Sequence, residues 1–337
     1  MKTIPKDKVI TLPAIGTWPE TKHVFEEESI NAVMTAYYSG RPLLIRGETG
    51  SGKSQLARAV AHVWQRLFVS EVVNSRTESG DLHYYFDAVA RLADAQAANA
   101  FVKKEEDAQD YLNPLKYLSP ASLWWVFNWE SAERVYAVKG HKRKQLIKPC
   151  FIDEAGEKYH WQPKDGAVIL IDEIDKAETD LPNDLLESLG NGAFTVPWQD
   201  NVVKMQEQNP PLVIITTNDE RELPAAFIRR CVVLNLNPSK DPKKLEQWLC
   251  KRGEVHFNND CSQAIRLRAA ELLLESRKTA EQKGVPPVGQ AEYLDLLRAL
   301  CQHTINEKDS VKRDEKHTFL IEKINAYVYN KYPEMVE

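Results

Sequence analysis

The sequence predicts a three-layer α/β domain built on a parallel sheet and followed by an all-α lid domain. Three observations carry that expectation. A glycine-rich loop stands between a short apolar run and an amphipathic stretch in "RPLLIRGETGSGKSQLARAVAH". A second apolar run, "AVILIDE", ends in two carboxylates. Beyond Pro238 the composition turns helical and charged. With 337 residues, 43% of them apolar, the chain has room for two globular units and a sizeable core.

The elements follow in order. "VFEEESINAVMTAYYSG" sets Ile30, Val33, Met34 and Tyr37 at helical spacing and closes on Gly40, which predicts an amphipathic helix. "PLLIRG", bounded by Pro42 and Gly47, predicts a short buried strand. Leu56, Val60, Val63 and Leu67 then recur at helical spacing, so the glycine loop lies between a strand and a helix. "GDLHYYFDAVARLADAQAANAF" reads as one long helix with Leu82, Tyr85, Phe86, Val89 and Leu92 on one face. "LSPASLWWVFNWE" brings Trp124, Trp125, Phe127 and Trp129 close together. Such a cluster is expected to pack beneath its own segment, with gripping a partner or nucleic acid as the alternative. Ala167 to Ile171, Leu212 to Thr217 and "CVVLNL" supply further strands. "SKDPKKLEQWLCKR", "CSQAIRLRAAELLLESRKTAEQKG", "QAEYLDLLRALC" and "KHTFLIEKINAYVYNKY" supply the lid helices, interrupted at "KGVPPVG" by paired prolines. The division is therefore 1–236, with a large insertion around 76–164, and 237–337.

Composition excludes several classes. A net charge of −5, from 44 basic and 49 acidic residues, argues against a protein that coats nucleic acid. The local exception is "VKGHKRKQLIK", with Lys139, Lys142, Arg143, Lys144 and Lys148, expected as a solvated loop, with phosphate or an acidic partner as the alternative. The five cysteines, Cys150, Cys231, Cys250, Cys261 and Cys301, form no C-x-x-C pair, and Cys250, His256 and Cys261 fit no common zinc spacing. No apolar run approaches the ~18 to 20 residues of a membrane span. The first twenty residues lack the apolar core of a secretory signal, so a cytoplasmic location without a membrane span is expected.

The chemistry lies in two motifs. Gly47-Glu48-Thr49-Gly50-Ser51-Gly52-Lys53-Ser54 is a full match to G-x-x-x-x-G-K-[ST]. Glycines let the backbone wrap closely enough for consecutive N–H groups to meet phosphate oxygens, and the following helix adds the positive end of its dipole. Lys53 is expected to contact the β and γ phosphates of ATP, and Ser54 to ligate Mg²⁺. In "DGAVILIDEIDKAE" the strand ends at Asp172 and Glu173, at the carboxyl end where open α/β sheets bind ligands. Asp172 suits the Mg²⁺ hydration shell and Glu173 the attacking water. Asn218, closing the strand Leu212 to Thr217, offers a neutral amide to γ phosphate and water. Arg229 and Arg230 stand just before "CVVLNL".

These residues resemble the MoxR-like branch of the AAA+ ATPases. "GETGSGKS", "VILIDEIDKAETDLPNDLLESLGNGAFTVP", "PLVIITTNDERELPAAFIRRC" and "GVPPVGQAEYLDLLRAL" carry the resemblance over about Val24 to Leu300. It implies a P-loop AAA+ nucleotide-binding domain with a helical lid, in which Glu173 is the catalytic glutamate and Asn218 the first sensor. Arg230, or its neighbour Arg229, is then the finger that reaches an adjacent subunit's site. Gly192 to Pro211 resembles the hairpin before the first sensor, with Phe194, Val196 and Trp198 alternating. The sequence departs from the family at Gln290, where many relatives carry a second-sensor arginine; Arg298 lies two turns further on. The resemblance implies Mg²⁺-dependent ATP hydrolysis coupled to remodelling of a protein partner, in a homo-oligomeric, hexameric ring. The implied partner bears a von Willebrand factor A domain. The alternative is a nucleotide-driven motor or switch of a nucleic-acid-directed defence or restriction complex.

Overall fold

The structure is a computed structural model that describes residues 2–101, 112–138, 145–152, 155–197 and 202–331. The chain forms two compact units. The first comprises Met1–Ile4, Glu27–Ile45 and Leu56–Leu234; the second comprises Pro5–Glu26, Arg46–Gln55 and Asn235–Glu337.

The first unit is organised by a parallel sheet of β1 (Leu43–Arg46), β2 (Leu67–Val72), β3 (Ala167–Asp172), β4 (Leu212–Thr217) and β5 (Val232–Asn235), in spatial order β5-β1-β4-β3-β2. Register sets Val72 opposite Asp172 and Ile215 opposite Ile171. Val168 to Ile171 and Ile214 to Thr217 are almost fully buried. Their near-continuous apolar runs belong to strands covered on both faces. Helix α1 (Glu27–Ser39) precedes β1, α2 (Lys53–Trp64) lies between β1 and β2, α3 (Asp180–Asn191) between β3 and β4, and α4 (Ala225–Arg230) between β4 and β5. A short antiparallel pair, Ala193–Phe194 with Val203–Lys204, forms the hairpin that the sequence resemblance implies. Val196 is buried there, and Trp198 lies outside the described residues.

Two local readings of the sequence change. Leu67 opens β2 instead of extending α2, because the helix ends at Trp64 and Gln65 takes a positive φ of 54°. The long helix expected from Gly80 to Phe101 is broken. Ser79–His83 is helical, Tyr84–Phe86 pairs antiparallel with Leu118–Pro120, and a new helix spans Ala88–Phe101. Consecutive aromatics favour the strand. The Asp87 carboxylate then accepts from the Ala90 N–H at 2.8 Å and starts the second helix. Leu82 is buried, whereas Val89 and Leu92 are 80% and 61% exposed, so the proposed common face does not exist.

The aromatic cluster packs inward. Trp124, Trp125, Phe127 and Trp129 are buried in one core with the sheet residues Val69, Ile169 and Ile215. Trp129 meets Trp161 edge-on at 5.1 Å, and Phe127 lies 5.7 Å from Phe194 of the hairpin. The Trp124 indole N–H donates to Ser131 Oγ at 2.7 Å, so its polar edge is satisfied. Of the basic run, Lys148 pairs with Glu133 at 3.5 Å and lies over the Trp129 ring. Lys139, Lys142, Arg143 and Lys144 lie outside the described residues.

The second unit contains an antiparallel pair, Val9–Leu12 with Thr21–Val24, and helices α5 (Pro242–Phe257), α6 (Gln263–Lys283), α7 (Gln290–His303) and α8 (Ser310–Val328). Asp241 caps α5 by accepting from the Lys243 N–H, with Pro242 in the first turn. Leu249, Leu273, Tyr293, Leu296, Leu297, Leu300 and Ile321 form its core. Among the described residues no helix is long and apolar enough to cross a membrane, and no cluster of His, Cys, Asp or Glu could hold a metal ion.

Burial makes the fold acid-sensitive. It pushes His23 down to about 3 and His83 and His256 down to about 4, with Arg252 adding to the shift at His23 and Lys22 and Arg252 adding to it at His256. These rings stay neutral in the folded chain, whereas the unfolded chain protonates them below pH ~6.5. Stability therefore falls as pH drops from about 6.5 towards 4, at up to about 1.4 kcal/mol per pH unit for each ring. Thermal unfolding followed from pH 7.5 to 5 should show a falling Tm, with a shallower slope in His23→Gln. An equal slope in that variant would remove His23 from the explanation.

Candidate active site

The glycine loop belongs to the second unit. Gly50 and Gly52 have φ of +77° and +92°, which side chains rarely adopt. A Cβ on Gly50 would also come within 2.4 Å of Ala291 Cβ, so alanine is excluded there twice over. Lys53, in the first turn of α2, is buried, and its ammonium donates to the carbonyls of Gly47 and Glu48 at 2.7 and 2.9 Å. The side chain thus curls back over the loop that bears it. Ser51 Oγ is buried without a hydrogen-bond partner, an orphan donor in a motif whose chemistry is phosphate binding. Ser54 follows in the same helical turn.

The acidic set belongs to the first unit and is joined by hydrogen bonds. Thr216, fully buried on β4, donates its hydroxyl to Asp172 Oδ1 and accepts the Glu173 N–H at 3.0 Å. Asn218 Nδ2 donates to Glu173 Oε1 at 3.3 Å. Glu173 has a left-handed backbone, φ 62° and ψ 49°. Strain of this kind costs about 1–3 kcal/mol and persists where surrounding structure imposes it; here Thr216 holds the amide. Asp175, nearly fully buried, accepts the backbone N–H groups of Asn218 and Glu220 at 3.2 and 3.0 Å. The turn that presents Asn218 is thereby fixed to the turn that presents Glu173.

The structure thus brings Asp172, Glu173 and Asn218 together and gathers Gly47, Glu48, Thr49, Gly50, Ser51, Gly52, Lys53 and Ser54 into one loop. Arg229 and Arg230 are exposed at the end of α4, anchored through the buried Phe227. Gln290 opens α7 with its Oε1 buried and unpartnered, and Arg298 pairs with Asp295 on the exposed face of the same helix. Sequence reasoning missed Thr216, Asp175 and Arg277. A threonine pair inside an otherwise aliphatic strand is a legible signal for Thr216. Arg277 gives none, because its partner Glu48 is 229 positions away.

Among solved structures, the RuvB Holliday junction branch migration motor of Thermotoga maritima is 13% identical, with 89% of this chain and 67% of that chain covered and a TM-score of 0.44. A point mutant of the same protein is 14% identical, with 89% and 69% covered and a TM-score of 0.46. Among curated proteins none matches. The model of the AAA domain, dynein-related subfamily, matches residues 42–231, which hold the glycine loop, the acidic strand end, Asn218 and both arginines. With more than half of its length matched, the chain belongs to the AAA domain family, dynein-related subfamily.

Proposed function

We propose that this chain binds ATP with Mg²⁺ and hydrolyses it to remodel a protein partner, as the MoxR-like members of its family do. The observation that carries this is the hydrogen-bonded set Thr216, Asp172, Glu173 and Asn218 at the carboxyl ends of two parallel strands. Lys53 supplies charge to the terminal phosphates, and the N–H groups from Glu48 to Ser54 cradle them. Ser54 and Asp172 offer the hard oxygen ligands that Mg²⁺ takes, and the orphan Ser51 hydroxyl fits a loop shaped for phosphate oxygens. Bound ATP and Mg²⁺ supply the transferable phosphoryl group and neutralise part of its charge. Glu173 orients water and holds its proton as it attacks; Asn218 fixes the Glu173 carboxylate; Thr216 fixes Asp172 and the Glu173 backbone in one register. Arg230, or Arg229, acts on a neighbouring subunit of a homo-oligomeric, hexameric ring in the cytoplasm. A domain of the von Willebrand factor A type is the partner class proposed, and the domain limits proposed are 1–236 and 237–337.

Glu173→Gln tests this reading. The amide keeps the volume but cannot take a proton, so turnover should fall about 10²- to 10⁴-fold while ATP still binds. The stalled protein should then retain a purified von Willebrand factor A domain partner in the presence of ATP. Turnover within threefold of wild type would remove Glu173 from the chemistry. ATP-dependent retention of DNA in place of protein would favour the nucleic-acid-directed alternative.

A further inference from the structure

The glycine loop carries an acidic residue at its second position, where phosphate is to bind. Glu48 is not left to repel it. Arg277, on α6, donates from Nη2 to Glu48 Oε1 and from Nη1 to Glu48 Oε2, both at 2.9 Å. The same Nη1 also donates to the Val288 carbonyl at 2.7 Å. The two side chains are 19% and 33% exposed, so the pair is shielded from much of the solvent that weakens surface ion pairs. The fork geometry is the one that only a guanidinium offers a carboxylate. Meanwhile the Glu48 N–H donates to Asn237 Oδ1 at 3.1 Å and its carbonyl accepts from Lys53. The backbone of Glu48 therefore aligns the loop, and its carboxylate is cancelled by a charge from the helical part of the same unit.

We propose that Arg277 is a positioning residue for nucleotide: it neutralises Glu48 and so keeps the phosphate loop receptive to a polyanion. The proposal rests on the reading of Gly47 to Ser54 as the ATP site. It differs from a mere tether in the sign of its effects. Removing Arg277 leaves an uncompensated carboxylate beside the phosphates, whereas removing the Glu48 charge leaves an uncompensated guanidinium. A tether is broken equally by either change.

The test is ATP titration by calorimetry of Arg277→Gln, Glu48→Gln and the double variant, each at low and high salt. Thermal unfolding runs in parallel. Arg277→Gln should bind ATP about tenfold more weakly, with the loss falling on KM more than on kcat. Glu48→Gln should bind severalfold more tightly than wild type, and the double variant should lie between the two. Both shifts should shrink as salt rises. Equal weakening in both single variants would mean a tether only and would overturn the proposal, as would an unchanged affinity in Arg277→Gln. If Arg277→Gln does not fold, Arg277→Lys replaces it. That variant keeps the charge but loses the fork and should bind ATP within about threefold of wild type. A tenfold loss in that variant would show that shape, not charge, is what Arg277 supplies. Lys53→Ala, measured alongside, separates the two failures. If it too binds ATP normally, the loop is not the nucleotide site; if it loses ATP while Arg277→Gln does not, only the role of Arg277 falls.

Discussion

Lys53→Ala should give no measurable heat when titrated with ATP at concentrations that saturate the wild-type protein. The side chain carries the full positive charge within the loop, and hydrogen bonds from a charged donor contribute ~1.5–3 kcal/mol each. Two such bonds to phosphate oxygens correspond to an affinity loss of about a hundredfold or more. The same ammonium ties down the carbonyls of Gly47 and Glu48 at 2.7 and 2.9 Å, so the loop also loses an internal brace. A modest fall in Tm should accompany the loss of binding. ATP affinity equal to wild type in Lys53→Ala would show that Gly47 to Ser54 is a strand-to-helix turn without a ligand.

What the sequence reveals follows from the range of the interactions. The strand Ala167 to Asp172 was legible because a parallel strand covered on both faces has a single reading, an apolar run ending where the ligand side begins. The glycine loop was legible because its φ values and its charge are local. The lid helices were legible from the helical, charged composition beyond Pro238 and from the break at "KGVPPVG". The insertion was not, since Tyr84 to Phe86 has an apolar spacing compatible with a helix and becomes a strand only by pairing with Leu118 to Pro120. The antiparallel pair at Val9–Leu12 and Thr21–Val24 escaped for the same reason: each strand is short and half-exposed. Within the candidate site, Asp172, Glu173 and Asn218 announce themselves by residue type. Thr216 and Asp175, which hold that set, and Arg277, which holds Glu48 of the glycine loop, act through contacts that span 43 to 229 positions, and no window of sequence displays those contacts.

Arg230→Ala should bind ATP with nearly wild-type affinity and lose most turnover, about 10³- to 10⁵-fold if it supplies the finger in trans. If its neighbour supplies it instead, the loss moves to Arg229→Ala. The acidic set of one chain contains Asp172, Glu173 and Asn218, whose side chains carry no positive charge to meet the charge that develops on the transferred phosphoryl group. Gln290 stands where a second-sensor arginine is expected, and Arg298 is engaged with Asp295, so the second cation, beside Lys53, is proposed to come from another chain. Arg229 and Arg230 suit that task. They sit exposed at the end of α4, which buries Phe227 and leads directly into β5, so a rigid sheet carries two cations to the surface. Mixing Arg230→Ala with Lys53→Ala should restore activity, because some interfaces then join an intact Lys53 loop to an intact Arg230. Activity of the wild-type protein should rise more than linearly with concentration as rings assemble. Constant specific activity at concentrations where sizing finds only monomer, or full turnover by the double arginine variant, would mean that the site is complete within one chain. The exposed pair would then be an ordinary solvated helix end.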